Sequence, residues 1–243
     1  CSLIRCAIMT TIARNLQQVR ARIATACREA GRAVEEVTLL AVSKTFGAPT
    51  VRQAFEAGQR AFGENYIQEG VEKIAALADL RAELTWHCIG PIQSNKTRLV
   101  AEHFDWAHTV DRLKIAERLS AQRPPELPPL NVCIQVNIDG GLSKSGVAPG
   151  EALPLARAVA ALPNLKLRGL MTIPEIAPDL EATRAAHMSA TALFDQLNAA
   201  GLGLDTLSMG MSADLEPAIA AGSTMVRVGS AIFGFRAAKS AAG

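Results

Sequence analysis

Two hydrophobic periods alternate along the chain. Stretches in which apolar residues recur every three or four positions indicate helices, and the short continuous apolar runs between them indicate buried strands. The strands are predicted near residues 38, 61, 86, 107, 134, 167, 206 and 226. Such alternation favours parallel pairing. Eight strand-helix units in a chain of 243 residues predict an α/β fold, which is a single (β/α)8 TIM-type barrel with an extra N-terminal helix.

Capping residues set the predicted limits of the helices. The first begins after Thr10 or Thr11 as N-cap and ends at Gly31. Asn65 with Gln68 resembles a capping box for a helix over 66–79. Further helices are predicted from Pro49 to Gly58 and over 94–102, 111–121 with Asp111 as N-cap, 149–161, 179–200 and 214–221.

Two stretches depart from this alternation. Residues 1–8 precede Met9 and are too few for a signal peptide, so we expect an N-terminal extension or an expression remnant followed by a single domain over 9–243. The proline-rich stretch 123–129 is a candidate domain boundary. Because the pattern resumes unchanged after it, a surface loop is favoured. A doubly wound open sheet is the alternative fold, but no Gly-x-Gly-x-x-Gly follows the first strand.

Composition narrows the classes of function. The net charge is +2, from 25 basic and 23 acidic residues, which gives no support to a nucleic-acid or membrane-surface role. No apolar run approaches the length of a membrane span. The five cysteines form no Cys-x-x-Cys, which favours a reduced, cytoplasmic setting. The four histidines lack metal-ligand spacing, and we expect no metal site.

In such barrels the functional site lies at the carboxyl ends of the strands. Lys44 ends the first strand, and glycine-serine loops at 208–212 and 229–230 follow the seventh and eighth strands. Phosphate is often bound after those two strands, although glycine and serine are also common in ordinary turns. An amine facing a phosphate site suggests a Schiff base with a phosphorylated aldehyde, of which pyridoxal 5′-phosphate is the commonest. Arg227 is expected near the phosphate or the pyridine nitrogen, or in a salt bridge at the rim.

Longer motifs support a resemblance to a known family. They are residues 41–45 (AVSKT), 62–69 (FGENYIQE), 86–96 (WHCIGPIQSNK), 143–146 (SKSG), 168–174 (RGLMTIP), 207–212 (LSMGMS) and 226–234 (VRVGSAIFG). Together they resemble the YggS/PROSC family of pyridoxal phosphate homeostasis proteins, which are similar in fold to the N-terminal barrel of alanine racemase. The resemblance covers Met9 to about Arg236. Many members place a second basic residue and a proline after the lysine motif, whereas Phe46 follows Thr45 here.

The resemblance implies a cofactor and a set of site residues. The cofactor is pyridoxal 5′-phosphate, held as a Schiff base on Lys44, with Asn65 near its ring. The other implied cofactor-binding residues are Ser208, Met209, Gly210, Ser212, Arg227, Gly229 and Ser230. Lys144 is a second lysine near the mouth, for which two interpretations stand: it relays or rebinds the cofactor, or it belongs to a solvated loop.

The resemblance also bears on catalysis. A racemase of this fold needs two opposed acid/base groups, and alanine racemase takes its second, a tyrosine, from a C-terminal domain. This chain ends soon after the eighth strand, and its one tyrosine is Tyr66. We therefore expect no catalytic residues and a role in pyridoxal phosphate (vitamin B6) homeostasis and amino-acid balance, in a cytoplasmic monomer with apo-enzymes as recipients. A single-domain racemase and a Schiff-base aldolase are the alternatives.

Overall fold

Eight parallel strands close into a barrel in the part of the chain that the structure describes. The structure is a computed structural model that describes residues 2–141, 145–174 and 179–234, with side chains from residue 11 onward. The strands pair in chain order, and β1 pairs with β8. They are β1 (Thr38–Val42), β2 (Ala61–Glu64), β3 (Thr85–Cys88), β4 (Trp106–Val110), β5 (Leu130–Gln135), β6 (Leu165–Met171), β7 (Thr206–Met211) and β8 (Met225–Val228). The predicted barrel is confirmed.

Helices lie between the strands, as predicted. They are α1 (Ser2–Glu29), α2 (Ala48–Glu56), α3 (Ile67–Ala76), α4 (Thr97–His103), α5 (Leu113–Gln122), α6 (Pro149–Ala160), α7 (Leu180–Ala199), α8 (Leu215–Ala220) and the single turn α9 (Ser230–Phe233). The predicted start of α1 at Thr10 or Thr11 is wrong, because the helix already begins at Ser2. Residues 2–9 contain no glycine or proline that would stop a helix there. Among the described residues, none of the helices combines the length and apolar character that crossing a membrane requires.

Two predicted caps are also wrong. Tyr66 is the N-cap of α3 and makes no side-chain capping bond, so Asn65 and Gln68 form no capping box. Gln68 instead donates to Glu72 one turn along the helix. Arg112 replaces Asp111 as the N-cap of α5. Short polar side chains near a helix start resemble caps in sequence, but the backbone angles decide which residue takes that position.

The proline-rich stretch lies against the barrel rather than between two units. Arg123 is buried, and its guanidinium donates to the carbonyl oxygens of Ala101 and Phe104, both at 2.7 Å, and of Pro128 at 2.9 Å. The strands before and after this stretch belong to one closed sheet. The stretch is therefore a connection within the barrel, as predicted.

The extra helix α1 supports the elements that close the barrel. It packs against α2, α8 and α9. Asn15 Nδ2 donates to the carbonyl oxygen of Ile232 in α9 at 2.9 Å. Arg22 donates to the carbonyl oxygen of Ser212 at 3.0 Å and forms an ion pair with Glu216 of α8. Through these contacts α1 holds the loops that follow β7 and β8.

Candidate functional site

A cavity opens at the carboxyl ends of the strands, between β1 and β8. Its volume is about 380 Å³. Lys44, which directly follows Ser43 after β1, is exposed at its edge, and Arg227 of β8 is buried in its wall. The lining residues are Val42, Lys44, Asn65, Ile89, Ile173, Met211, Ser212, Ala213, Arg227, Gly229 and Ser230. The cavity therefore combines a primary amine, a guanidinium, small loops after β7 and β8, and an apolar wall.

A second cavity of about 200 Å³ shares Asn65, Ile89 and Ile173 with the first. Its other lining residues are neutral, and include Gln135 at the end of β5 and Asn137. The Oδ1 atom of Asn65 is buried with no hydrogen-bond partner among the described residues. A buried polar atom of this kind is costly unless something satisfies it. Asn65 Oδ1 thus presents a hydrogen-bond acceptor at the wall that the two cavities share.

Arg227 supplies a buried positive charge to the first cavity. Its Nη1 donates to Ser208 Oγ at 2.7 Å and its Nη2 to the carbonyl oxygen of Thr172 at 2.8 Å. Burial lowers the pKa of Arg227 to about 10, so the guanidinium stays protonated at neutral pH. No carboxylate of the described residues forms an ion pair with it. A buried cation without such a partner favours an anion or a strong acceptor in the cavity.

Two buried histidines continue inward from Arg227. His108 Nδ1 lies 3.1 Å from Ser208 Oγ, and His108 Nε2 lies 2.9 Å from His87 Nδ1. His87 stacks on the ring of Trp106 at a centroid distance of 5.1 Å. Burial lowers the pKa of His87 to about 3 and also lowers that of His108, so both imidazoles are neutral. The sequence did not indicate this pair, because its members lie on different strands.

The loop after β7 is held by one carboxylate. Asp214 accepts from the backbone N–H of Met211 at 2.7 Å and contacts Nε2 of the buried His187 at 2.9 Å. Burial raises the pKa of the Asp214 carboxyl, but the hydrogen bonds from His187 and Met211 outweigh it and leave the pKa below its usual value. Asp214 therefore fixes residues 211–213, which line the cavity.

The structure brings most of the predicted site residues together. Lys44, Asn65, Ser212, Arg227, Gly229 and Ser230 line the first cavity. Ser208, Met209 and Gly210 do not line it; they are buried behind the wall. Gly210 has φ +93°, and a Cβ there would lie 2.5 Å from Ala218 Cβ. A glycine is thus required at this position of β7, where the register with β8 shifts. The assignment of cofactor contacts to all nine residues stays a prediction.

The remaining candidates lie elsewhere. Tyr66 is 58% exposed and lines a groove outside the barrel, between α2 and α3, rather than either cavity at the mouth. Lys144 lies outside the described residues. Among the side chains that are described, no group of three or more His, Cys, Asp or Glu residues is placed to hold a metal ion.

Comparison with known proteins first defines the class. The family model described as "Alanine racemase, N-terminal domain" matches residues 12–237. This range spans all eight strands and every residue of the two cavities. The chain belongs to this family.

Individual relatives then define the group within it. The chain is 60% identical over 228 residues to the pyridoxal phosphate homeostasis protein of Pseudomonas aeruginosa, covering 94% of this chain and 97% of that one. It is 59% identical over 232 residues to the protein of the same name from Escherichia coli K12, covering 94% and 98%. The solved structure of PipY from Synechococcus elongatus with PLP bound is also similar, with a TM-score of 0.79 and 36% identity over 92% of this chain and 100% of that one. The resemblance to the pyridoxal phosphate homeostasis proteins is confirmed.

Proposed function

We propose that the chain binds pyridoxal 5′-phosphate at the mouth of the barrel, attached to Lys44, and acts in intracellular pyridoxal phosphate homeostasis and amino-acid balance. The observation that carries this proposal is that one cavity is lined by Lys44 and by the buried Arg227, which forms no ion pair with a carboxylate of the described residues. The names of the Pseudomonas and Escherichia relatives and the PLP bound to PipY support it.

The residues of the cavity fit this cofactor. When bound, the cofactor supplies an aldehyde that a primary amine captures as a Schiff base, together with an anionic phosphate. Lys44 provides the amine at the rim. Arg227 provides a fixed positive charge, and Ser212, Gly229 and Ser230 provide small hydrogen-bonding groups beside it. The unpartnered Asn65 Oδ1 and the side chain of Ile89 bound the space for a ring.

The arrangement favours a carrier over an enzyme with turnover. Among the described residues that line either cavity, Lys44 and Arg227 are the titratable side chains. Arg227 keeps its proton at neutral pH because its pKa is about 10, so it makes a poor acid/base partner for Lys44. Tyr66 lies on the outer groove. We infer that Lys44 holds the cofactor reversibly for transfer to apo-enzymes.

Mass spectrometry after borohydride reduction tests the attachment. The protein incubated with pyridoxal 5′-phosphate should carry a pyridoxyl adduct on Lys44, and Lys44→Ala should lose both the adduct and the visible absorption band of the Schiff base. The surface variant Lys114→Ala should keep both. An adduct on a different lysine would overturn the site.

A second experiment separates a carrier from a racemase. The loaded protein is incubated with single L-amino acids in deuterated water, and α-hydrogen exchange and chirality are followed. We expect no multiple-turnover conversion, together with transfer of the cofactor to an apo-enzyme that regains activity. Sustained racemisation that Lys44→Ala abolishes would establish the enzyme instead.

A further inference from the structure

A buried ammonium group reaches the backbone on one side of Lys44. Lys73 of α3 is 5% exposed, and its Nζ donates to the carbonyl oxygen of Ser43 at 2.7 Å. The same Nζ lies 2.7 Å from Glu64 Oε1 and 2.6 Å from Glu69 Oε1. Three contacts use the three donors of the ammonium group. Lys73 is thus tied to β2, to its own helix and to the residue before Lys44.

The two carboxylates of this cluster also contact the residues on either side of Lys44, one through a side chain and one through the backbone. Ser43 Oγ donates to Glu64 Oε1 at 2.5 Å, inside the barrel wall. The backbone N–H of Thr45 donates to Glu69 Oε1 at 2.6 Å. Lys44 is therefore flanked by two residues that the Glu64–Lys73–Glu69 cluster fixes, while Lys44 itself is not in the cluster.

The backbone between these two residues has an unusual conformation. The N–H of Phe46 donates to the carbonyl oxygen of Ser43 at 3.1 Å, which closes a β-turn with Lys44 and Thr45 as its central residues. Thr45 has φ +69°, in the left-handed region that favours glycine and is unfavourable for a β-branched side chain. A conformation of this kind persists when the surrounding contacts determine it. Here the conformation is determined by two hydrogen bonds, from Lys73 Nζ to the carbonyl oxygen of Ser43 and from the Thr45 N–H to Glu69 Oε1.

We propose that Lys73 is a positioning residue for Lys44. By binding the carbonyl oxygen of Ser43 and both carboxylates, it holds the Ser43–Phe46 turn in the conformation that directs the Lys44 amine to the cavity. The expected effect on the affinity for pyridoxal 5′-phosphate rests on the proposed function. The role of Lys73 in the geometry of the turn does not.

Lys73→Met tests this inference in the full chain. The variant keeps the length of the side chain and removes its charge and donors. A misplacement of about 1 Å can lower the rate of a reaction between held groups on the order of 100-fold. Because Schiff-base formation depends on the same placement of the amine, we expect the affinity for pyridoxal 5′-phosphate, read from the Schiff-base absorption, to fall at least about tenfold. Without cofactor, the amide hydrogen of Thr45 should exchange at least about tenfold faster. Arg52→Met is the matched control, since Arg52 forms an exposed ion pair with Asp79.

Two further variants keep the inference testable if Lys73→Met does not fold. Glu69→Ala removes the acceptor of the Thr45 N–H, and Glu69→Gln keeps an acceptor there, so faster exchange is expected for the alanine variant and much less for glutamine. Thr45→Asn, a residue that tolerates the left-handed region, should restore part of the affinity lost in Glu69→Ala. A purely structural role of the cluster would not produce this rescue.

The outcomes separate the two proposals. If the wild-type protein forms the Schiff base and Lys73→Met or Glu69→Ala binds the cofactor with unchanged affinity and unchanged exchange at Thr45, the positioning role is refuted and the proposed function stands. If the wild-type protein forms no Schiff base, the proposed function fails. The exchange of the Thr45 amide in the cofactor-free variants still decides whether the cluster holds the turn.

Discussion

Arg227 Nη1 donates a hydrogen bond of 2.7 Å to Ser208 Oγ, and this contact sets the direction of every hydrogen bond behind it. A guanidinium donates and cannot accept. The other contact of Ser208 Oγ among the described residues is His108 Nδ1. A buried hydroxyl proton needs an acceptor, so Ser208 donates to His108 Nδ1. His108 must then carry its proton on Nε2 and donate to His87 Nδ1.

Both histidines are accordingly expected as the Nε2–H tautomer. Nitrogen-15 chemical shifts of the imidazole rings, measured at neutral pH, distinguish the protonated from the unprotonated nitrogen and check this directly. Ser208→Ala removes the donor to His108 Nδ1, so a change at that nitrogen is expected with little change at His87 Nε2. Observation of an Nδ1–H tautomer for His108 in the wild-type protein would show that the chain runs in the opposite direction.

The same pair makes the stability of the fold depend on pH. A histidine in the unfolded chain has a pKa of about 6.5, whereas burial lowers the pKa of His87 to about 3 and that of His108 also falls. Between these values the unfolded chain binds more protons than the folded one. The stabilisation is therefore complete above about pH 6.5 and is lost as the pH falls toward 3. Two protons give a slope of at most about 2.7 kcal/mol per pH unit.

Urea unfolding between about pH 6.5 and 4.5 measures this slope together with an opposite contribution from Glu64, whose pKa burial raises; that contribution is common to the wild-type protein and the histidine variant, so it cancels when the two are compared. Asp79, Asp205, Asp214, Glu36 and Glu216 have pKa values below their ordinary ones, so their contribution is lost at still lower pH. The double variant His87→Gln, His108→Gln should show a clearly smaller slope in this window, whatever its overall stability. An equal slope in both proteins would mean that these histidines are not the groups that titrate.

The sequence contained enough information for the barrel and for the position of the cavity. Eight apolar runs separated by helical periods leave few other architectures, and the ends of parallel strands meet at one rim. Lys44 and Arg227 are far apart in the chain, but both lie near a strand end. Their meeting at one cavity therefore followed from the fold alone.

Contacts that depend on the side chains of different strands could not be predicted. Ser208 is predicted to contact the cofactor phosphate, and the sequence alone does not show that its hydroxyl also bonds to Arg227 and His108 inside the barrel. The spacing of residues 208–212 does not reveal which of them faces inward, because register and bulges decide this; the pairing of β7 with β8 shifts between Ser208 and Met211. In the sequence, Lys73 is not distinguishable from the exposed lysines of an amphipathic helix. In the structure it is buried and bonds to the residue before Lys44.

Gly210 is predicted to be intolerant of a side chain for reasons of backbone geometry. Its φ of +93° is unfavourable for alanine, and the added Cβ would lie 2.5 Å from Ala218 Cβ. We expect Gly210→Ala to lower the free energy of unfolding by about 3 kcal/mol. Gly150→Ala is the control, because a Cβ there meets nothing within 4 Å and alanine favours α6. Denaturant unfolding compares the two variants, and equal stabilities would contradict the assigned role of Gly210.

Asp214 is predicted to couple the stability of the β7 loop to cofactor affinity. Its carboxylate bonds both to the Met211 N–H and to His187, whereas an asparagine provides one acceptor oxygen for these two groups. We expect Asp214→Asn to lower the free energy of unfolding by about 1–2 kcal/mol, to speed exchange of the Met211 amide and to weaken binding of pyridoxal 5′-phosphate. Asp179→Ala is the matched control, since Asp179 caps α7 through Ala182 N, loss of an N-cap lowers stability by a similar amount, about 0.5–2 kcal/mol, and Asp179 does not line either cavity. If both variants lose the same affinity per kcal/mol of stability, the effect of Asp214 is general destabilisation; a loss of affinity confined to Asp214→Asn shows that the loop it holds forms part of the binding site.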